Sequence, residues 1–345
     1  MTHTYTLKVI EIKRETEDTV TLCFKQPALR KIKYIAGQYI TLIVRINGRR
    51  FLRPYSFSSC FGIDQHIEIT VKRVPHGIVS NHIVDVVKVG DSIEVLPPMG
   101  DFVLGEKPAQ NNIFLWGIGS GITPLISIAK FVLYNNDSQN IHLTYGNRNF
   151  ESTIFLDAIE NLKKQFPNRF HVKYFHTKFE VNKNFPNVIE GRIDQRKVAS
   201  IMNGGISAQD QLHFICGPFG LKESVKKALK SLDINEDYIF SEDFEIVKDP
   251  KDFENIYTQT VNLDFEGKIT QIEVVKGQSI LEACLNANLE LPYSCQTGNC
   301  STCKGVLQSG EIKMIGLTKE RTDLSESEFL LCCSHPLDNE VLIKI

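Results

Sequence analysis

Three closely spaced cysteines near the carboxyl end constrain this chain more than any other feature. Cys295, Cys300 and Cys303 follow the pattern C-x4-C-x2-C in a segment rich in serine, glycine and asparagine. Two more cysteines, Cys332 and Cys333, lie further along the chain. Four thiolates at this spacing are the ligands of a plant-type [2Fe–2S] cluster, and small turn-forming residues let the loop wrap around two irons. The sequence therefore predicts an electron-transfer centre.

Two other uses of clustered cysteines fit this pattern less well. Structural zinc sites usually show two close pairs of ligands, whereas only Cys300 and Cys303 form such a pair here. Disulfide frameworks are typical of small secreted chains, and this chain has 345 residues and begins without the basic and apolar blocks of a signal peptide. We therefore expect reduced thiols in a cytoplasmic protein.

The length and the residue pattern predict three domains. Residues 1–106 show short alternating strands separated by turns, which is typical of an antiparallel β-barrel. Residues 107–248 alternate apolar strands with helices, which predicts an α/β Rossmann-like domain with a parallel sheet. A charged segment around Pro250 is predicted to be a linker. Residues 256–345 contain a strand pair, a helix and the clustered cysteines, and look like a β-grasp ferredoxin domain.

Charge and hydropathy narrow the possible partners. The net charge of −2 gives no sign of nucleic-acid binding. The apolar stretch 113–134 is interrupted by glycines, a proline and a lysine, so it predicts a buried strand, turn and helix rather than a membrane span. We therefore expect neither nucleic acid nor membrane as a partner. The domain from Gln259 onward is net acidic, which suits a basic docking protein or simply a solvated surface.

The first domain contains an arginine, a tyrosine and a hydroxyl within four residues. Arg53, Tyr55 and Ser56 belong to the sequence R-P-Y-S, and on an extended segment Arg53 and Tyr55 share one face. A guanidinium suits a pyrophosphate, and a tyrosine ring can stack on a flat ring system. Alone, the motif could equally be a strand end with a surface arginine.

A second motif in this domain strengthens the prediction of a phosphate site. A strand that includes Val71 and Lys72 runs into a G-x-x-S turn formed by Gly77 and Ser80. Backbone N–H groups and a serine hydroxyl in such a turn can hold phosphate oxygens. We therefore expect these four residues to contact the same ligand as the R-P-Y-S motif.

The second domain contains a glycine-rich turn between its first strand and helix. The glycines would let the backbone approach a pyrophosphate, and a proline suits the first helical turn. A tight connection without a ligand is the alternative, because the turn lacks the complete G-x-G-x-x-G fingerprint. The residues predicted to bind a nucleotide here are Gly119, Ser120, Gly121, Thr123 and Pro124.

A later strand of the same domain ends in a second glycine-containing motif, C-G-P-x-G. Parallel strands deliver their carboxyl ends to one crevice, so both motifs should face the same ligand. The residues concerned are Cys216, Gly217, Pro218 and Gly220. The glycines would leave room for a planar ring, with Cys216 beside it.

These motifs, in this order, resemble the ferredoxin–NADP reductase superfamily. The resemblance covers essentially the whole chain and is closer to reductases with a ferredoxin fused at the carboxyl end. Those include the reductases of phenylacetyl-CoA oxygenase and of multicomponent aromatic and steroid hydroxylases. It implies three cofactors: FAD, a [2Fe–2S] cluster, and NADPH or NADH.

The resemblance also implies roles for individual residues. Arg53 would meet the flavin phosphates, Tyr55 would stack on the isoalloxazine, and Ser56 would hydrogen-bond near N5, while the G-x-x-S turn implies FAD rather than FMN. In the ferredoxin pattern the last ligand follows an apolar run and precedes a proline by four residues, which favours Cys332 over Cys333.

Two positions bear on nicotinamide binding. The family often ends its second domain with Glu-Arg-Phe, and the resemblance implies that Glu242 and Phe244 contact the cofactor. This chain has Glu242-Asp-Phe244, with an acidic residue where the family has arginine, so the motif departs from the family pattern at its middle position. Arg148 follows the second α/β strand and, with Ser152, suits a 2′-phosphate, which favours NADPH. The alternative for Arg148 is a solvated residue at a helix start.

The resemblance implies electron flow from NAD(P)H through FAD to the cluster and on to a partner protein. Hydride would pass to flavin N5, with Ser56 and Cys216 as the catalytic residues. An oxygenase component is the expected partner. Alternatives are a desaturase, a cytochrome or a hybrid-cluster protein as acceptor, or a redox sensor that turns over little nucleotide.

Overall fold

The computed structural model describes residues 3–27, 31–104, 110–136, 138–178, 188–203, 205–246, 248–317 and 320–345. The predicted boundary at residues 106 and 107 lies outside these ranges. The chain divides into two compact units, which are Met1–Val44 with Tyr55–Asp243, and Arg45–Pro54 with Phe244–Ile345. The bounds of the three predicted domains stay predictions.

The amino-terminal part forms the predicted antiparallel barrel. Its strands are β1 (Tyr5–Thr16), β2 (Thr19–Phe24), β3 (Tyr39–Ile46), β4 (Arg49–Ser56), β5 (Ile67–Lys72) and β6 (Ser92–Val95). They are ordered β4-β3-β6-β1-β2-β5. Phe57, directly after β4, bridges to Ile69 of β5, so the two ends of the sheet meet. A short helix, α1 (Ile78–Asp85), follows β5.

The middle part forms a parallel sheet with helices on both faces. Its elements are β7 (Asn112–Ile118), α2 (Ile122–Asn135), β8 (Asn140–Asn147), α3 (Leu156–Gln165), β9 (Phe170–His176), β10 (Ile189–Glu190), α4 (Gln195–Met202), β11 (Gln211–Cys216), α5 (Phe219–Lys230) and β12 (Ile239–Glu242). The strand order is β10-β9-β8-β7-β11-β12. The chain therefore reverses its direction of winding between β7 and β11, which is where open α/β sheets form a binding crevice.

The two faces of this sheet bury separate apolar clusters. On one face Leu125 and Ile128 of α2 pack with Leu115 of β7. On the other, Leu221 and Val225 of α5 pack with strand residues. Strands covered on both faces consist of continuous apolar runs, which explains why the sequence pattern identified them.

The carboxyl-terminal part holds a five-stranded sheet, a two-stranded sheet and one α-helix among the residues that the structure describes. The elements are β13 (Gln259–Phe265), β14 (Lys268–Val274), α6 (Ile280–Asn286), β15 (Lys304–Ser309), β16 (Ile312–Met314), β17 (Glu328–Leu330), β18 (Ser334–Pro336) and β19 (Leu342–Lys344). The larger sheet has the order β14-β13-β19-β15-β17, and β16 pairs with β18. A capping box between Ser279 and Glu282 fixes the start of α6. The cysteine-rich loop lies between α6 and β15.

The predicted linker is partly structured. Pro250–Phe253 form a 3-10 turn. Phe253 is buried against Ile256 and Ile315, because its large apolar ring gains free energy by leaving water.

Candidate cofactor sites

The R-P-Y-S motif forms the end of strand β4. Its Ser56 is buried, and Arg53 and Tyr55 are half-buried. The Arg53 guanidinium donates a hydrogen bond from Nη1 to the carbonyl of Leu52 at 2.8 Å. That bond uses one of five guanidinium N–H groups, so the others can meet phosphate oxygens.

The G-x-x-S turn forms the start of helix α1. Ser80 is buried, and its hydroxyl accepts a hydrogen bond from the Val74 N–H at 3.1 Å. A Cβ on Gly77 would lie 2.6 Å from the Ser80 hydroxyl, so a larger residue there would displace that hydroxyl. No side chain caps α1 and its first turn has no acidic residue, which suits an anionic ligand. Upstream, Val71 is buried and Lys72 forms a 3.4 Å ion pair with Asp18.

The glycine turn after β7 is held in close contact with the end of β11. A Cβ on Gly121 would lie 2.1 Å from the Cys216 carbonyl oxygen. The hydroxyl of Thr123 donates to the Ser120 carbonyl at 3.0 Å, and the Tyr145 hydroxyl donates to the Gly119 carbonyl at 2.9 Å. Both bonds are accepted by carbonyls of the turn and so stabilise it, and Pro124 lies in the first turn of α2.

The C-G-P-x-G motif ends β11 beside this turn. Cys216 pairs in register with Gly117 of β7 on one side and with Glu242 of β12 on the other. Its thiol is buried, and burial, together with the carboxylates of Glu242 and Asp243, raises its pKa well above the ordinary value. The thiol is therefore protonated at neutral pH. The rest of the motif leads into α5, with Gly217 next to Cys216, Pro218 before the helix and Gly220 inside it.

Asp243, which stands where the family often has arginine, forms an ion pair. The Asp243 carboxylate forms a buried ion pair with Lys222 of α5, with an Nζ–Oδ2 distance of 2.5 Å. The pair ties the end of β12 to the start of α5, the helix that follows Cys216. Phe244, which follows Asp243, has a side chain that is 47% exposed.

The predicted 2′-phosphate residues lie just after β8. Arg148 is exposed, and within the described ranges we find no hydrogen bond or ion pair of its guanidinium. The Ser152 hydroxyl donates to the Asn149 carbonyl at 3.0 Å and accepts from the Asn149 N–H at 3.1 Å. Ser152 therefore shapes the turn that carries Arg148.

The cysteine-rich loop directs backbone N–H groups at its first sulfur. The Cys295 sulfur accepts hydrogen bonds from the N–H groups of Thr297 at 3.4 Å and Cys300 at 3.3 Å. Gln296 and Gly298 both have positive φ angles, +59° and +76°, which turn the chain sharply. The neighbouring Cys295 thiol, more than any other group, lowers the pKa of Cys300 to about 5.

The four predicted cluster ligands form two neighbouring pairs. The Cys300 N–H donates a hydrogen bond to the Cys295 sulfur, and the N–H of Leu331, the residue before Cys332, donates to the Cys303 carbonyl at 3.0 Å. In the described part of the chain no three His, Cys, Asp or Glu side chains are arranged for a single metal ion. A [2Fe–2S] cluster spreads four ligands over two irons, so two pairs of thiols fit it better than one compact group. Cys333 is fully buried, and its sulfur lies 3.6 Å from that of Cys332.

Three further side chains at this loop were not predicted from the sequence. The buried Tyr293 hydroxyl accepts a hydrogen bond from the Leu52 N–H at 2.9 Å, and the Gln296 amide donates to the Leu52 carbonyl at 3.3 Å. Arg321 also contacts the loop, through bonds to Gly298 and Ser301. These contacts join residues that are distant in sequence and have no local motif, so no sequence pattern indicated them.

Comparison with known families identifies each domain. Residues 6–104 match the oxidoreductase FAD-binding domain, residues 115–227 the oxidoreductase NAD-binding domain, and residues 263–337 the 2Fe-2S iron-sulfur cluster binding domain. The ferredoxin reductase component of 3-ketosteroid-9-alpha-monooxygenase from Mycolicibacterium smegmatis is 31% identical, over 98% of this chain and 96% of that protein. The chain belongs to the family of ferredoxin reductases with a fused [2Fe–2S] domain.

Two other relatives match the whole reductase. A 1,2-phenylacetyl-CoA epoxidase component from Escherichia coli K12 is 29% identical over 99% of this chain and 98% of its own length. The solved structure of phthalate dioxygenase reductase superposes with a TM-score of 0.69 at 23% identity, covering 99% of this chain and 98% of that chain. The structural match supports the three-domain fold.

The family fixes the cofactors and the class of reaction. The reductase is an NAD(P)H-dependent oxidoreductase in which electrons pass from NAD(P)H through FAD to the [2Fe–2S] centre. Among the described residues, no helix combines the length and apolar character that crossing a membrane requires.

Proposed function

We propose that this reductase delivers electrons to the oxygenase component of a multicomponent monooxygenase or dioxygenase. Relatives named as components of a monooxygenase and an epoxidase support the proposal, because they match more than nine-tenths of both chains. The observation that carries it is the geometry of the cysteine-rich loop, in which the N–H groups of Thr297 and Cys300 donate hydrogen bonds to the Cys295 sulfur. A [2Fe–2S] cluster takes up and releases one electron at a time, so it suits transfer to another redox protein rather than to an organic substrate.

The barrel residues would hold FAD at its phosphates and at its isoalloxazine ring. Arg53 would bind the pyrophosphate, with Tyr55 against the ring and the buried Ser56 hydroxyl near N5. The N-terminus of α1, opened by Gly77 and shaped by Ser80, would face phosphate oxygens, supported by its missing cap. Bound FAD would supply the conversion between a two-electron donor and a one-electron acceptor.

The crevice between β7 and β11 would hold the nucleotide. The turn at Gly119–Gly121 would face the pyrophosphate, since its backbone is fixed by two hydrogen bonds. Cys216, with a protonated and uncharged thiol, would form an apolar wall beside the nicotinamide. Arg148 would contact a 2′-phosphate, which favours NADPH over NADH; its exposed guanidinium supports this assignment.

Cys295, Cys300, Cys303 and Cys332 would ligate the cluster. The spacing to Pro336 favours Cys332 over Cys333 as the fourth ligand, and the N–H of Leu331, next to Cys332, donates to the Cys303 carbonyl at 3.0 Å. All nine cysteines are free of disulfide bonds, which supports placing the reductase in the reducing cytoplasm.

Anaerobic titration with NADPH and, separately, NADH tests this function. We expect bleaching of the flavin absorbance together with the EPR signal of a reduced [2Fe–2S] centre, and faster reduction by NADPH. The oxygenase component of the same organism should then be reduced by the loaded reductase and not by NADPH alone. If neither nucleotide bleaches the flavin, the reductase assignment is wrong; if the cluster is reduced but no oxygenase accepts its electrons, only the partner is wrong.

A further inference from the structure

The guanidinium of Arg321 lies on the backbone of the cysteine-rich loop. Its Nη1 donates a hydrogen bond to the Gly298 carbonyl at 2.5 Å and lies 3.5 Å from the Cys300 carbonyl oxygen. Its Nη2 donates to the Ser301 hydroxyl at 2.7 Å. Only 12% of the Arg321 side chain is exposed. One side chain therefore joins both ends of the segment that surrounds Cys300.

A carboxylate orients this guanidinium. Asp323 accepts from Arg321 Nε at 2.7 Å through one oxygen and from Nη2 at 2.7 Å through the other. Such a bidentate pair fixes the plane of the guanidinium as well as its position. Asp323 is 57% exposed, whereas Arg321 is nearly buried, so water screens the negative partner far more than the positive one.

The position of this charge matters for a cluster held by the loop. Reduction by one electron adds one negative charge to a centre that already has four thiolate ligands. A fixed, poorly screened positive charge nearby stabilises the reduced form more than the oxidised form. Hydrogen bonds and local charge are the means by which proteins set cluster potentials.

We propose that Arg321 is a positioning residue that holds the loop around Cys300 in its ligating conformation and raises the reduction potential of the cluster, while Asp323 orients it and partly offsets its charge. The inference rests on the proposed ligation of the cluster by the four cysteines. It assigns opposite effects on the reduction potential to two neighbouring side chains. Removing the charge of Arg321 and removing the charge of Asp323 should therefore shift the potential in opposite directions.

The experiment compares four full-length variants with the wild type by anaerobic redox titration, followed by EPR, with iron content measured on each sample. Arg321→Met removes the charge and its hydrogen bonds, and Arg321→Lys keeps only the charge. Asp323→Asn removes the opposing charge. Lys268→Met removes the charge of an exposed lysine at the start of β14 in the same domain and serves as the control.

We expect Arg321→Met to lower the equilibrium constant for cluster reduction about tenfold, which is about 59 mV for a one-electron couple. Asp323→Asn should shift the potential in the opposite direction, because it removes negative charge. Arg321→Lys should keep a potential near that of the wild type but lose iron faster on dialysis, because a lysine cannot span both carbonyls. Lys268→Met should match the wild type.

Several outcomes would overturn the inference. An Arg321→Met variant with full iron content and an unchanged potential would refute the electrostatic role. If that variant cannot retain iron, Asp323→Asn decides, and an unchanged or lower potential there would refute the inference. A wild-type protein without iron or an EPR signal would instead refute the proposed function on which this inference rests.

Discussion

The nucleotide crevice and the cluster loop reach a fixed geometry in different ways. In the crevice, backbone meets backbone: the turn at Gly121 lies against the Cys216 carbonyl with no space for a Cβ. In the loop, long side chains hold the backbone, with Arg321 on Gly298 and Tyr293 on Leu52. The crevice is thus specified by small residues within short motifs, whereas the loop depends on side chains from distant segments.

The largest effect should come from Cys332, the fourth predicted cluster ligand. We expect Cys332→Ser to lose the cluster, because only three of the four predicted thiolate ligands would remain, while Cys333→Ser keeps it. Iron content and the visible spectrum of both variants measure this. The reverse pattern would make Cys333 the ligand.

The next largest effect should come from the ion pair beside the crevice. Lys222→Met leaves the Asp243 carboxylate buried without its partner, which should lower the free energy of unfolding by about 3–5 kcal/mol. Urea unfolding measures this change. The double variant Lys222→Met, Asp243→Leu should recover most of the loss, because it leaves no isolated charge. A double variant as unstable as the single one would show that the pair matters through shape rather than charge.

A single methyl group tests whether the crevice depends on backbone contact. Gly121→Ala places a Cβ 2.1 Å from the Cys216 carbonyl oxygen, so we expect a loss of about 1–3 kcal/mol in stability. Affinity for NADPH should fall by about tenfold or more, because the turn must move. Gly220→Ala is the matched control for stability, since its Cβ would meet no atom within 4 Å. Equal stability of the two variants would contradict the close packing.

The smallest effect should come from one hydrogen bond at the loop. Tyr293→Phe leaves the Leu52 N–H buried without its acceptor, which should cost about 1–2 kcal/mol of stability. Tyr257→Phe, at a side chain that is 62% exposed, serves as the control. Thermal unfolding monitored by circular dichroism measures both. If Tyr293→Phe is as stable as the wild type, side-chain contacts contribute less to the loop than we infer.

This contrast explains what the sequence could predict. Strands β7 and β11 were predicted because both of their faces are buried, which gives continuous apolar runs in the sequence. The glycine motifs at their ends stood out because their residues are neighbours in the sequence, and their nucleotide contacts stay predictions. The spacing of Cys295, Cys300 and Cys303 predicted the cluster loop because these residues, too, lie close together in the sequence. Arg321 and Tyr293 could not be found in this way, because the contacts they make depend on how the chain folds back on itself. The ion pair of Asp243 could not be predicted either, because its partner Lys222 precedes it by 21 residues.

The high pKa of Cys216 has a consequence for chemical durability. Oxidants and alkylating reagents attack the thiolate rather than the thiol. A sulfur that is buried, and kept protonated by burial and neighbouring carboxylates, reacts slowly with either. A polarisable sulfur atom can therefore lie at the end of β11 without offering a ready site for oxidative damage.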